Sequence, residues 1–414
     1  MLHDGKNHDE SSAPSLAGAA ASVKIPKTVW ALGLVSLFMD VSSEIIHALL
    51  PLFLTTTLGA SVALVGLIDG VAEATASISK IFSGYISDRI GRRKPLILLG
   101  YGLGALSKPL FAIAGSASVV LGARFADRIG KGLRGAPRDA LVADMTPIAI
   151  RGRAFGLRQS LDTVGAFLGP LLAIGLMLTL ANNIRAVFWV AIIPGVVAVL
   201  LVLFGVEDRR GSADAQSPVP VRTHDLLRLD RAFWGVVAIG VVFTLARFSE
   251  AFLILKANAE GLPLALAPLV LVVMNIVYAL GAYPAGAWSD RVPAARLLLW
   301  GLACLIAADI VIAFTSGIIG AFVGIALWGA HMAMTQGLFA KLVADHAPPE
   351  LRGSAYGVFN LATGLALLAA SVIAGVLWDR WGSSATFAAG AAFAGLAFLL
   401  LACRRNTSGQ SSDG

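Results

Sequence analysis

Of 414 residues, 57% are hydrophobic and only 14% carry a charge, against roughly 45–50% and 25% in soluble domains. At a mean hydropathy of +0.80, that much apolar surface has no aqueous core in which to hide, and a soluble globular fold is excluded. The net charge of +7 does not point to nucleic acid, because the cations fall in alternate loops between apolar runs.

Residues 1–27 are polar and rich in Ser and Ala, without the apolar core and small-residue cleavage site of a secretory signal, and read as a cytoplasmic tail. Beyond them, apolar runs of about 20 residues alternate with polar breaks. Lipid offers no hydrogen bonds to the backbone, and runs that do not alternate in polarity are helices rather than barrel strands. The spans expected in chain order are 28–55, 62–84, 95–115, 117–136, 154–178 and 186–206, then 233–256, 264–287, 296–315, 318–341, 354–377 and 384–403. This is an all-α polytopic membrane protein of twelve transmembrane helices. Residues 28–206 and 233–403 form two six-helix bundles, joined by a charged, Ser- and Pro-rich linker at 207–232 and followed by a tail at 404–414. Placing the N-terminus inside puts Arg89, Arg92, Arg93, Lys94, Arg151, Arg153, Arg209, Arg210, Arg291 and Arg352 in cytoplasmic loops and leaves the outer loops nearly bare. The positive-inside rule therefore predicts an inner-membrane protein with both termini in the cytoplasm.

The two halves are repeats. GYISDRIGRRK (Gly84 to Lys94) returns as GAWSDRVPAAR (Gly286 to Arg296), and ADMTPIAIRGRAFG (Ala143 to Gly156) as ADHAPPELRGSAYG (Ala344 to Gly357). The two registers differ by one residue. Parallel repeats of this kind enclose a cavity at their interface. On the loop Gly84, Ser87, Asp88, Arg89, Gly91, Arg92 and Arg93, the chain resembles the major facilitator superfamily of secondary transporters over residues 28–403. It departs from that superfamily's cytoplasmic signature at Ile86, and its second copy has Pro293 in place of a glycine. Gly84, Asp88, Arg89, Gly91 and Arg92 are expected to form a cytoplasmic gate, with Asp88 facing the N-terminal end of a helix of the other half.

Charges within spans are costly, about 2.5–3.5 kcal/mol each on insertion scales, and so are functional candidates. Asp40, Glu44 and His47 share one face of helix one; Asp69 and Glu73 lie four apart in helix two; Arg124, Asp127, Arg128 and Lys131 form a stripe on helix four. Arg158 and Asp162 lie four apart in helix five, and Arg247 and Glu250 three apart in helix seven. About half of these are expected to be structural pairs. Asp40 and Glu44, nearest mid-helix, are candidates for reversible protonation, since burial favours the neutral carboxyl. Asp162 and Arg124 complete the proton-coupling set. The resemblance implies the role of Arg124, through a helix-four arginine followed by glycines, here Gly130 and Gly132. As alternatives, Arg124 pairs with Asp127 or with Asp162. Asp69, Glu73, Arg128, Arg158, Arg247, Glu250 and His331 are candidates to line the cavity. Gly165, Gly169 and Pro170 match the first part of a helix-five motif of the superfamily's exporters, and allow tight packing and a kink.

Gly130 to Gly135 matches G-x-G-x-x-G but ends a spanning helix with no strand before it, so no dinucleotide site is expected. The six histidines show no metal-ligand spacing, and no phosphate loop or nucleophile–base set is present. Neither a metal, a cofactor nor an enzymatic activity is expected. The reading is a transporter working by alternating access, with a small-molecule substrate, protons and the bilayer as partners, functional as a monomer. Its leading function is proton-coupled export of a small toxic or drug-like compound. The alternatives are proton-coupled uptake of a small solute, anionic or metal-chelate, drawn by Arg124, Arg128 and Lys131, and a sensor that binds solute without moving it.

Overall fold

The computed structural model describes residues 24–90, 92–147, 150–208, 229–289, 291–347 and 351–410. Helix α1 (Lys27–His47) stops where Pro51, lacking an N–H, would collide with the carbonyl four residues back. It resumes as Leu50–Leu52 and a π-helical turn, Phe53–Thr57. Then come α2 (Val62–Ile90), α3 (Lys94–Ile113), α4 (Ala117–Met145), α5 (Arg151–Thr179) and α6 (Ile184–Gly205). Asn183 caps α6 by accepting the Ala186 N–H at 3.1 Å.

The second half opens with α7 (Arg231–Leu245), whose N-terminus Asp230 caps through the Phe233 N–H at 2.8 Å. Of the linker expected at 207–232, residues 209–228 lie outside the described residues. Helix α7 is not the continuous span expected at 233–256: it unwinds over residues 246–250 and continues as Ala251–Ala259. No proline or glycine marks this break. The freed backbone is held from outside instead, the Ser249 N–H donating to Ser371 Oγ at 3.2 Å. The remaining helices are α8 (Leu269–Ser289), α9 (Ala294–Phe314), α10 (Ile318–Asp345), and a long helix, Arg352–Gln410, divided at Gly382 (φ 84°) into α11 (352–381) and α12 (383–410).

The fold is all-α and duplicated. Within the first half α1 packs on α5 and α6, α2 on α4, and α3 on α4 and α6. The second half repeats the pattern: α8 and α9 pack on α10, while α7 and α9 pack on the Arg352–Gln410 helix. Across the middle, α2 packs against α11 and α5 against α8. Helix α4 exceeds its expected limit, 136, and carries too many charges to count among the described segments that are apolar enough to cross a membrane by length and composition.

One end of the bundle carries the start of α1 and the end of α12; at the far end the halves meet closely. There a Cβ added at Gly70 would lie 2.8 Å from the Leu368 Cα, and one at Gly375 would lie 2.5 Å from the Ala63 Cα. Asp379, near the end of α11, accepts the Val62 and Ala63 N–H groups at 3.0 and 2.9 Å. It thereby caps α2 from the opposite half, carboxylate against the positive end of the helix.

Candidate functional site

The charged residues of the first half meet in three clusters between its helices. At the first, α5 lays its glycines on α1: a Cβ at Gly165 would sit 3.1 Å from that of Asp40, and one at Gly169 would sit 2.5 Å from that of Glu44. Pro170, one residue on, is buried inside α5. The close approach sets the Asp40 carboxyl beside that of Asp162. Arg138 and Arg158 flank Asp162 at 3.8 and 3.9 Å and both reach Asp139, at 3.1 and 3.7 Å. Glu44 takes His47 as its partner at 3.4 Å.

The second cluster joins α2 to α4, with Asp69–Arg124 at 3.3 Å and Glu73–Arg128 at 3.2 Å. Arg124 therefore pairs with neither Asp127 nor Asp162, the two alternatives expected for it. Asp127 belongs instead to the third cluster, where Lys108 of α3 donates to it at 2.8 Å and to Ser43 Oγ of α1 at 2.9 Å. Lys108 and Asp127 are both nearly inaccessible. Gly130 and Gly132 make these contacts possible by packing: the first meets the backbone of Gly100 and the second that of Ala76 and Lys80.

From this network one bond crosses to the other half. Ser249, in the unwound part of α7, donates from Oγ to Asp69 at 2.8 Å. The same break turns Arg247 and Glu250 into a space of about 600 Å³ that His47, Asp69, Glu73 and Arg124 line from the first half. A second space of about 890 Å³ shares Glu73 and Arg247, and adds Phe243, His331, Gln336 and Asn360. Together they form one cavity between the halves. It is closed at the far end and leads past the exposed Lys80, Lys131 and Gln336 toward the end bearing the termini.

Of the residues expected to line a cavity, Asp69, Glu73, Arg247, Glu250 and His331 do so. His331 is 2% exposed, its Nδ1 lies 2.8 Å from the Gly301 carbonyl, and its ring stacks on Phe243. Arg128 stands behind Glu73, and Arg158 belongs to the α5 cluster. Of the expected gate, the side chains of Gly84, Asp88 and Arg89, and Gly91 altogether, lie outside the described residues. Arg92 is exposed in a groove with Lys94 and Asp208, and its neighbour Arg93 pairs with Asp144 at 2.7 Å, joining the two repeated sequence motifs. Sequence reasoning missed Lys108, Arg138, Ser249 and Asp379. Lys108 carried the signal of a charge within an expected span, and Ser249 that of its charged neighbours Arg247 and Glu250.

The Major Facilitator Superfamily profile matches residues 32–371. The chain belongs to that superfamily. An uncharacterized MFS-type transporter of Methanocaldococcus jannaschii is 29% identical over 91% of this chain and 95% of its own. An uncharacterized protein of Mycobacterium tuberculosis is 30% identical over 84% and 85%. Among solved structures, the nucleoside transporter NupG superposes with a TM-score of 0.78 at 11% identity, covering 91% of this chain and 99% of that one. A bacterial homologue of the lysosomal transporter Spinster, in an inward-facing and unoccupied conformation, gives 0.72 at 16%, covering 94% and 97%. The fold is the superfamily's, and the chain is a multi-pass membrane transporter with a small-molecule substrate.

Proposed function

We propose that this transporter exports a small drug-like or toxic compound from the cytoplasm in exchange for protons, by alternating access of one cavity between its halves. The observation that carries the reading is a charged cavity between the halves, closed at one end and open at the other, in a protein whose α1 and α5 bring the acids Asp40 and Asp162 together within the bundle. An acid that must give up its proton when its surroundings change can tie proton flow to the movement of the halves. Orientation by the positive-inside rule puts the open end in the cytoplasm, so this is the inward-open state. Export is supported by a partial likeness, 26% over 47% of this chain, to the multidrug resistance protein MdtL of Escherichia coli. Proteoliposomes under an imposed pH gradient test it: ethidium movement should follow the gradient and stop in Asp40→Asn or Glu44→Gln. Gradient-independent movement in the wild type would sink the coupling.

Uptake of a small anion is the second reading, and one observation favours it. Arg247 faces both parts of the cavity without an ion-pair partner among the described residues. Against it, Arg124 and Arg128 are already engaged by Asp69 and Glu73.

A further inference from the structure

The second half contains a deeply buried carboxyl that the scheme above does not use. Asp309 of α9 is completely buried, and neither of its oxygens has a hydrogen-bond partner among the described residues. Its surroundings are built around it. On α12, Gly390 leaves the room it occupies, since a Cβ there would stand 2.7 Å from Asp309 Oδ2 and 3.0 Å from a ring carbon of Phe248. Phe248 lies in the α7 break, with its ring 5.4 Å from that of Trp328 (α10) and 5.3 Å from that of Phe387 (α12). Trp328 Nε1 is likewise buried without a partner.

Among the described residues, no cation faces this carboxyl. From α7, Arg247 and Glu250 on either side of Phe248 and Ser249 turn into the cavity; from α10, His331 points at Gly301; α12 presents Gly390 and Phe387. An ionised carboxylate here would be stripped of water with nothing in exchange, at a cost no aromatic cage returns.

We propose that Asp309 is a second proton-binding site, separate from the proton exchange proposed above, that holds its proton while the far end is closed and loses it when α7 moves, and so sets the balance of the two states with pH. The geometry supplies the link. The five residues of the α7 break present Ser249 to Asp69 on one side and, on the other, Phe248 to the space at Gly390 that Asp309 also borders. Any shift that separates the halves at Ser249 also withdraws Phe248 from the acid, letting water reach it and the proton leave. Proton loss in turn leaves a bare charge that the closed packing cannot hold, and drives the same shift. Loading of the site requires no other group than the carboxyl itself; unloading rests on the alternating-access reading.

Two measurements on the full chain, with Cys304 and Cys403 replaced by Ser, test it. Infrared difference spectroscopy of detergent-solubilised protein at neutral pH should show a protonated-carboxyl stretch that shifts in D2O and has a component lost in Asp309→Asn and kept in Asp40→Asn. A band unchanged in Asp309→Asn would overturn the assignment. The second measurement is maleimide labelling of Asn360→Cys, which lines the cavity, normalised to the same cysteine in the Asp309→Asn background. Raising the pH should slow labelling at least about fivefold, the low end of an allosteric coupling, as the cavity closes toward the termini. An unchanged ratio across pH would show a proton that never leaves, and would sink the proposal while leaving alternating access intact.

Discussion

Lys108 shows how far single residues outrun the sequence. Asp127 is legible as a member of the helix-four stripe, but its partner sits on the preceding helix, and spacing along one helix finds only partners three or four residues away. The same limit applies to Asp69, whose partners Arg124 and Ser249 lie 55 and 180 positions off. The local charge decides which half of the Lys108–Asp127 pair matters more. Lys108, Arg124, Arg128 and Arg134 all act on Asp127, so the acid is outnumbered. Lys108→Met should therefore cost roughly 3 kcal/mol, the low end for breaking a buried pair, because other cations stand by. Asp127→Leu should cost more, leaving an ammonium uncompensated. Melting in detergent checks the order, and a more stable Asp127→Leu would refute the local-charge argument.

At the scale of elements, the twelve spans and the duplication were legible because both are written in runs and repeats: apolar stretches of helical length, and two motifs copied in near-register. The α7 break was not, because nothing in its composition forbids a helix; tertiary partners on α2 and α11 unwind it. The helix-five glycines were legible as a packing surface, but not that their counterpart is the acidic face of α1. Gly169→Val should push α5 off α1 at Glu44, an overpacking worth about 1–3 kcal/mol. It should lower the melting temperature and abolish proton-driven transport even where the protein still inserts; wild-type transport would show that the close approach is dispensable. Ser249→Ala should leave folding unchanged and weaken the tie between the halves by roughly 1.5–3 kcal/mol, the scale of a charge-assisted hydrogen bond. Slower labelling of Asn360→Cys than in the parent would register this as a drift away from the far-end-closed state.

Across the whole molecule, α2 and α11 run side by side in opposite directions, and each offers an aspartate near its C-terminal end: Asp379 on α11, and Asp88 on α2. Asp379 already caps α2 in this state. If Asp88 does the same for the start of α11 in the opposite state, the two substitutions should pull in opposite directions. Asp379→Asn should reduce labelling of Asn360→Cys, and Asp88→Asn should raise it, by about five- to 150-fold for a latch of 1–3 kcal/mol. Changes of the same sign would break the symmetry. The chain shows both aspartates, but only the fold reveals that they sit on one pair of helices.

The charge on α4 also bears on how the protein is made. Arg124, Asp127 and Arg128 would each cost about 2.5–3.5 kcal/mol at the centre of a bilayer, so α4 leaving the ribosome alone has no reason to stay in lipid. Its partners Asp69, Glu73 and Lys108 are on α2 and α3, which are synthesised earlier. Chain order thus delivers the counter-charges before they are needed, and α4 enters as the third member of a preassembled trio. With Asp69 and Glu73 both replaced by Ala, a glycosylation reporter after residue 145 should reveal α4 failing to cross in a growing fraction of chains, although its own sequence is untouched.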